Sequence, residues 1–208
     1  MRRVVLLALG FVTLLGVWLA PLGELLPGPF AAHMTMHMGV VAVAAPLLAF
    51  GVCGNRFDPV RRAPALFAPV PASVLELVVV WAWHAPVLHH VARHSALGLW
   101  LEQGSFVLSG LYLWVSAFGG DAEQREQRRG TGILALLLTS MHMTLLGALL
   151  ALPPRPLYAH AHGPSRLSPL DDQHLGGAIM LGVGGIVYLL GGLWLTAGLL
   201  GGVRARKT

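Results

Sequence analysis

Apolar side chains occur along this chain in six blocks, separated by short stretches rich in polar residues, proline and glycine. The blocks run over Val4–Leu22, Met34–Val52, Val70–Val91, Leu99–Phe118, Thr131–Leu152 and Leu175–Leu200. A helix rises about 1.5 Å per residue, so about 20 apolar residues match a hydrocarbon layer about 30 Å thick. Lipid offers no partner to backbone N–H and C=O groups, so a spanning block must pair them internally. The pattern therefore predicts an all-α polytopic membrane protein. Six helices in 208 residues leave only short loops, so residues 1–208 are read as a single transmembrane bundle without an appended soluble domain.

Composition supports that reading. Hydrophobic residues make up 55% of the chain and charged residues 11%, far from the balance of a soluble domain of this length. The 14 Lys and Arg against 9 Asp and Glu could suggest a nucleic-acid partner, but their placement excludes it. Arg2, Arg3, Arg56, Arg61, Arg62, Arg125, Arg128, Arg129, Arg204, Arg206 and Lys207 fall at the two ends and in every second loop. Only Arg93, Arg155 and Arg166 fall in the alternate loops. The positive-inside rule then puts both termini in the cytoplasm. Residues 1–23 also carry marks of a signal peptide, but their apolar run is long for one, and cleavage would leave the other helices oriented as before. Cys53, the single cysteine, permits neither an intramolecular disulfide nor a thiolate metal cluster.

The stretch His33-Met34-Thr35-Met36-His37-Met38 interrupts the apolar pattern at the outer end of the second block. On a helix His33 and His37 stack on one face, Met34 and Met38 form the adjoining stripe, and Met36 lies on the other shoulder. The set covers roughly 200° of arc, too wide for one bound atom, but two imidazoles with one thioether shoulder are not. Met141-His142-Met143 repeats the chemistry in the fifth block, and His84 lies near the outer end of the third. None of the ten histidines falls on the cytoplasmic side of this topology. Glu102 opens the fourth helix, and His160 and His162 in the last outer loop offer a weak way in for a metal. His89, His90, His94 and His174 read as solvated. Trp18, Trp81, Trp83 and Trp100 read as an outer aromatic belt, and Glu76 as a hydrogen-bond donor or acceptor to a neighbouring helix or a proton relay. Pro46 is expected to kink the second helix, and the glycines of the sixth to allow close helix approach.

Neutral imidazole suits several transition metals, whereas thioether selects Cu(I). The His/Met set therefore points to Cu(I) held with moderate affinity, as a carrier requires. Two histidines on facing helices could instead ligate haem. The third possibility is that the histidines merely join helices by hydrogen bonds.

The ordered motifs resemble the integral-membrane CtaG type of cytochrome c oxidase assembly factor. They are His33-Met34 and His37-Met38 with Ala45-Pro46-Leu47-Leu48; Trp83-His84 with Pro86; and Glu102 with Phe106, Gly110 and Trp114. Met141-His142 with Gly147, Leu157-Tyr158, and Asp172-Gln173 with Gly177 and Met180 complete the series. Two departures stand against it: Gln103 replaces a histidine common in the family, and the chain is short by a helix. The resemblance implies a non-catalytic factor that helps install copper in a haem-copper oxidase, with an oxidase subunit as partner. The metal-holding residues would be His33, Met34, His37, Met38, His84, Met141, His142 and Met143, supported by Met36, Glu102, Asp172, His160 and His162. A haem-insertion role and a metal-independent chaperone of an oxidase subunit are the alternatives.

Overall fold

The computed structural model describes residues 1–158 and 165–205, with side chains to residue 201. Among the described residues all regular structure is helical: α1 (Arg2–Leu19), α2 (Leu22–Leu25), α3 (Pro29–Met38), α4 (Ala45–Val52), α5 (Pro69–His84), α6 (Pro86–His94), α7 (Ala96–Phe118), α8 (Ala122–Ala151), α9 (Pro169–Ile179) and α10 (Gly185–Ala205). The π-helical turn Gly39–Ala44 joins α3 to α4, and another, Met180–Gly184, joins α9 to α10.

The spans are less uniform than the sequence pattern. Four stretches, Arg2–Leu19, Pro29–Val52, Ala122–Ala151 and Pro169–Gly201, are long and apolar enough to cross a membrane. A fifth arises only if α5 and α6 count together, and these are bent by 72°. Pro86 causes the break: it has no N–H for the helix ladder and drives Ala85 out of the helical region, to φ −64° and ψ 132°. The third block, Val70–Val91, is therefore divided: its first helix ends at His84 and α6 follows. α7 has 23 residues, but Glu102, Gln103, Ser109 and Ser116 on its buried face dilute its apolar character.

Pro46 acts through the hydrogen-bond ladder rather than by a simple kink. In the π turn Ala45 N–H donates to Val40 O, five residues back. The next carbonyl, Val41 O, would then require an N–H at position 46, where proline has none. Trp114 Nε1–H and the Tyr188 hydroxyl supply the missing donors at 3.2 and 3.3 Å. α7 and α10 are thereby fastened to one backbone carbonyl in the middle of the bundle. The Tyr188 hydroxyl also reaches Glu76 Oε1 at 2.7 Å, so Glu76 makes the interhelical hydrogen bond expected of it. The glycine-rich last span allows the expected backbone approach: a Cβ on Gly177 would lie 2.5 Å from Ala151 N and 2.8 Å from Gly147 O.

At the arginine end, fully buried Asp58 accepts from Gly54 N at 2.5 Å, Val60 N at 3.0 Å and Gly120 N at 2.7 Å. This ties the segment after α4 to the turn between α7 and α8. Nearby Cys53 is buried, and desolvation with the Asp58 charge pushes its thiol up to about 12.

Candidate functional site

Four helices bring a polar cluster together at the end opposite Asp58. α3 contributes His33 and His37, α5 contributes His84, α6 contributes His89 and Arg93, and α7 contributes Glu102. His33, His37, His84, His89 and Glu102 are all nearly inaccessible to solvent. The His33 ring centroid lies 5.0 Å from that of His89 and 6.0 Å from that of His84, and His37 lies 5.2 Å from His84. His33, His89 and Glu102 each offer a ligand atom, all within 4.8 Å of one another.

The ring nitrogens of this cluster are largely uncommitted. Both nitrogens of His33, His37 and His142, with His84 Nε2 and His89 Nδ1, have no hydrogen-bond partner among the described residues. Buried polar atoms are normally paired, so such a concentration calls for an occupant or a function. His84 is the exception that orients itself: its Nδ1–H donates to Val80 O at 2.6 Å, which leaves the Nε2 lone pair free to face the cluster. Glu102 Oε1 lies 3.8 Å from His33 Nε2, while Oε2 pairs with Arg93 and accepts from Gln103 Nε2 at 3.1 Å. Gln103 Oε1 accepts in turn from Trp18 Nε1 at 3.1 Å. Gln103 thus holds the carboxylate in place.

The cluster sits on a braced helix end. Gly28, the N-cap of α3, has no side chain, and the Asp172 carboxylate of α9 caps in its stead. It accepts from Phe30 N and Ala31 N, both at 2.9 Å. Tyr158 stacks on Phe30 at 4.7 Å, lies 4.5 Å from His89 and donates its hydroxyl to His84 O at 2.5 Å. Burial raises the Tyr158 phenol well above its ordinary range, so it remains a donor.

The methionines divide between the interior and the surface of the bundle. Met34 packs at Gly176, and Met38 packs at Gly184 beside Met143, all toward α9 and the π turn after it. Met141 is 67% exposed on the outer surface of α8, because its neighbours Thr139, His142 and Met143 take the inward face. Met36 is half-buried. His142 is buried and close enough to His37 to interact with it electrostatically. His160 and His162 lie outside the described residues.

His89 corrects the reading of the second outer loop as solvated. Residues 86–94 form a helix that turns His89 and Ala92 inward and leaves Val87 and Val91 exposed. Pro86, a good first helical residue, followed by apolar and His positions three and four apart, was the available signal. His90 and His94 stack outside at 3.8 Å, and His174 Nε2–H donates to Pro153 O at 2.9 Å. Trp18 and Trp83 face inward enough to donate to Gln103 and Ser105.

No curated protein and no solved structure matches this chain. A family model does, over residues 1–201, and the ordered motifs from His33 to Met180 lie inside that match. On that match, the chain belongs to the cytochrome c oxidase caa3 assembly factor (Caa3_CtaG) family.

Proposed function

We propose that this assembly factor carries copper, as Cu(I), to a haem-copper oxidase subunit, and takes the ion at the imidazole cluster of His33, His37, His84 and His89. The observation that carries the reading is the set of buried, unpartnered ring nitrogens converging from α3, α5 and α6. Imidazole is a good copper ligand, and copper with an open coordination position can be passed on by ligand exchange. The support for the monovalent ion is charge rather than sulfur. The cost of burying an ion grows with the square of its charge, and the Glu102 carboxylate is already paired with Arg93. A neutral imidazole set in a dry site therefore favours Cu⁺ over Cu²⁺. Met34, Met38 and Met143 are buried toward α9 and the π turn after it, and His142 is within electrostatic reach of His37.

The bundle is read with six crossings, α5 and α6 together forming one broken span and α7 another. Arginine placement supports both termini on the cytoplasmic side and the histidine cluster toward the outer face, in the plasma membrane of a bacterium. The factor docks to its oxidase subunit within the bilayer and acts without catalysing a reaction.

Competition titration of purified protein against a Cu(I) chelator under reducing conditions tests the site. His33→Ala/His37→Ala is expected to lose more than the 10–100-fold, roughly, that follows removal of a mere supporting partner. Unchanged affinity in that variant would place the site elsewhere. Haem fits the geometry less well, because a macrocycle must lie between two axial imidazoles, whereas the His37 and His84 rings meet edge to face and His37 also lies 4.0 Å from Phe106. A Soret band in the same sample would favour haem. Histidine variants that still support oxidase maturation would favour a metal-independent chaperone.

A further inference from the structure

At the arginine end, far from the histidine cluster, the helices leave a cavity of about 670 Å³ between α1, α4, α7, α8 and α10. Arg2, Arg3, Arg125 and Arg129 line it, with an aromatic wall of Phe50, Phe118 and Trp194. The three rings pack together, Phe50 at 4.8 Å from Phe118 and 5.3 Å from Trp194. Arg129 is engaged, by Glu126 at 2.8 Å and by the Gly198 carbonyl at 2.6 Å. Arg2, Arg3 and Arg125 have no carboxylate within ion-pair distance among the described residues. The nearest acid of the loop, Asp58, spends its oxygens on three backbone amides.

A second hollow, about 370 Å³, continues from this one along α4 and α10. It shares Phe50 and Trp194 with the cavity and is otherwise lined by apolar residues such as Pro46, Leu47, Val187 and Leu190. Leu190 and Trp194 are each 59% exposed, so this groove opens on the outer, lipid-facing surface of the bundle. A basic mouth and an apolar groove meet end to end.

We propose that the two hollows together bind one anionic phospholipid from the leaflet at the arginine end. Its phosphate sits between Arg3 and Arg125, and an acyl chain follows the groove past Phe50 and Trp194 to Val187. Basic pockets between transmembrane helices attract anionic headgroups, and guanidinium matches phosphate oxygens in pairs. The continuous apolar groove selects a lipid over a soluble phosphate, since it offers a free anion nothing.

Native mass spectrometry of the full chain in a neutral detergent tests this with phosphatidylglycerol, phosphatidylcholine and free glycerol phosphate as probes. Wild type is expected to retain one phosphatidylglycerol in preference to phosphatidylcholine. Arg3→Gln/Arg125→Gln is expected to weaken phosphatidylglycerol binding about thirtyfold, and Arg125→Gln alone, which leaves the N-terminal charges intact, about fivefold. Val187→Trp, which fills the groove, is expected to weaken both lipids. Equal retention of the two lipids, or arginine variants that bind phosphatidylglycerol like wild type, would overturn the proposal. Displacement of the lipid by glycerol phosphate at equal concentration would overturn it too, in favour of a plain anion site.

Discussion

The brace under His33 gives a test in which one substitution should change sign with its background. Gly28 and Asp172 share the N-terminus of α3, and the carboxylate takes the Phe30 and Ala31 amides that an N-cap side chain would otherwise take. Hydrogen bonds to a charged acceptor are worth about 1.5–3 kcal/mol each. Asp172→Ala strands two buried donors and should cost about 3–6 kcal/mol; Asp172→Asn keeps one neutral bond and should cost about 2–4 kcal/mol. Gly28→Ser would gain a few tenths of a kcal/mol at an ordinary exposed N-cap, roughly the Gly-to-Ser difference there. Here a Cβ at position 28 overlaps the Asp172 carboxylate, so the same change should cost about 1–3 kcal/mol. With Asp172→Ala in place the overlap vanishes and the new hydroxyl can cap α3 locally. Gly28→Ser should then stabilise by about 1 kcal/mol. Equilibrium unfolding of the four proteins in mixed micelles, followed by tryptophan fluorescence, measures the coupling, expected at about 2–4 kcal/mol in magnitude. Single and double changes that add within about 0.5 kcal/mol would refute the capping argument.

Other outcomes follow from the same contacts. Arg93→Gln removes the resident cation from Glu102, so Cu(I) should bind about tenfold tighter or more in the chelator competition, while Glu102→Gln should not show that gain; equal affinities in wild type and Arg93→Gln would sink the argument that Arg93 neutralises the carboxylate beside the site. Tyr188→Phe deprives Glu76 of its hydroxyl and leaves Val41 O to Trp114 alone, and should cost about 1–3 kcal/mol in the unfolding assay. Gly177→Ala pushes a methyl into the α8 backbone and should cost about 1–3 kcal/mol, whereas Gly182→Ala, which meets nothing within 4 Å, should be neutral or slightly stabilising. With a thiol raised to about 12, roughly one Cys53 in ten thousand is thiolate at pH 8. Maleimide should therefore label the folded protein far more slowly than the denatured one, and labelling should quicken as pH rises; equal rates in both states would contradict the burial.

Much of the site was legible because its chemistry is costly in lipid. His33, His37, His84 and Glu102 stand out against an apolar background, and helical geometry alone puts the first two on one face. The same reasoning missed His89, whose short helix lies where a loop was expected, and did not tell that Met141 lies on the outer surface of α8. Met34 and Met38 share a helix with the histidines, but which stripe faces α9 is set by the small residues Gly176 and Gly184 on another element. Sequence spacing along one helix carries no information about that.

The sequence by itself determined an all-helical membrane chain, a basic and a histidine-rich end, and a family, because burial in lipid and family motifs are written in residue type and order. Tertiary structure alone decided that Tyr158 pairs the His84 carbonyl at the Pro86 break, that Trp114 and Tyr188 satisfy the carbonyl orphaned by Pro46, and that Asp172 caps a helix 141 residues away in the chain. The physical reason is common to all three. A hydrogen-bonding group freed in an apolar interior must be paired, but its partner is chosen by whichever helix packs beside it.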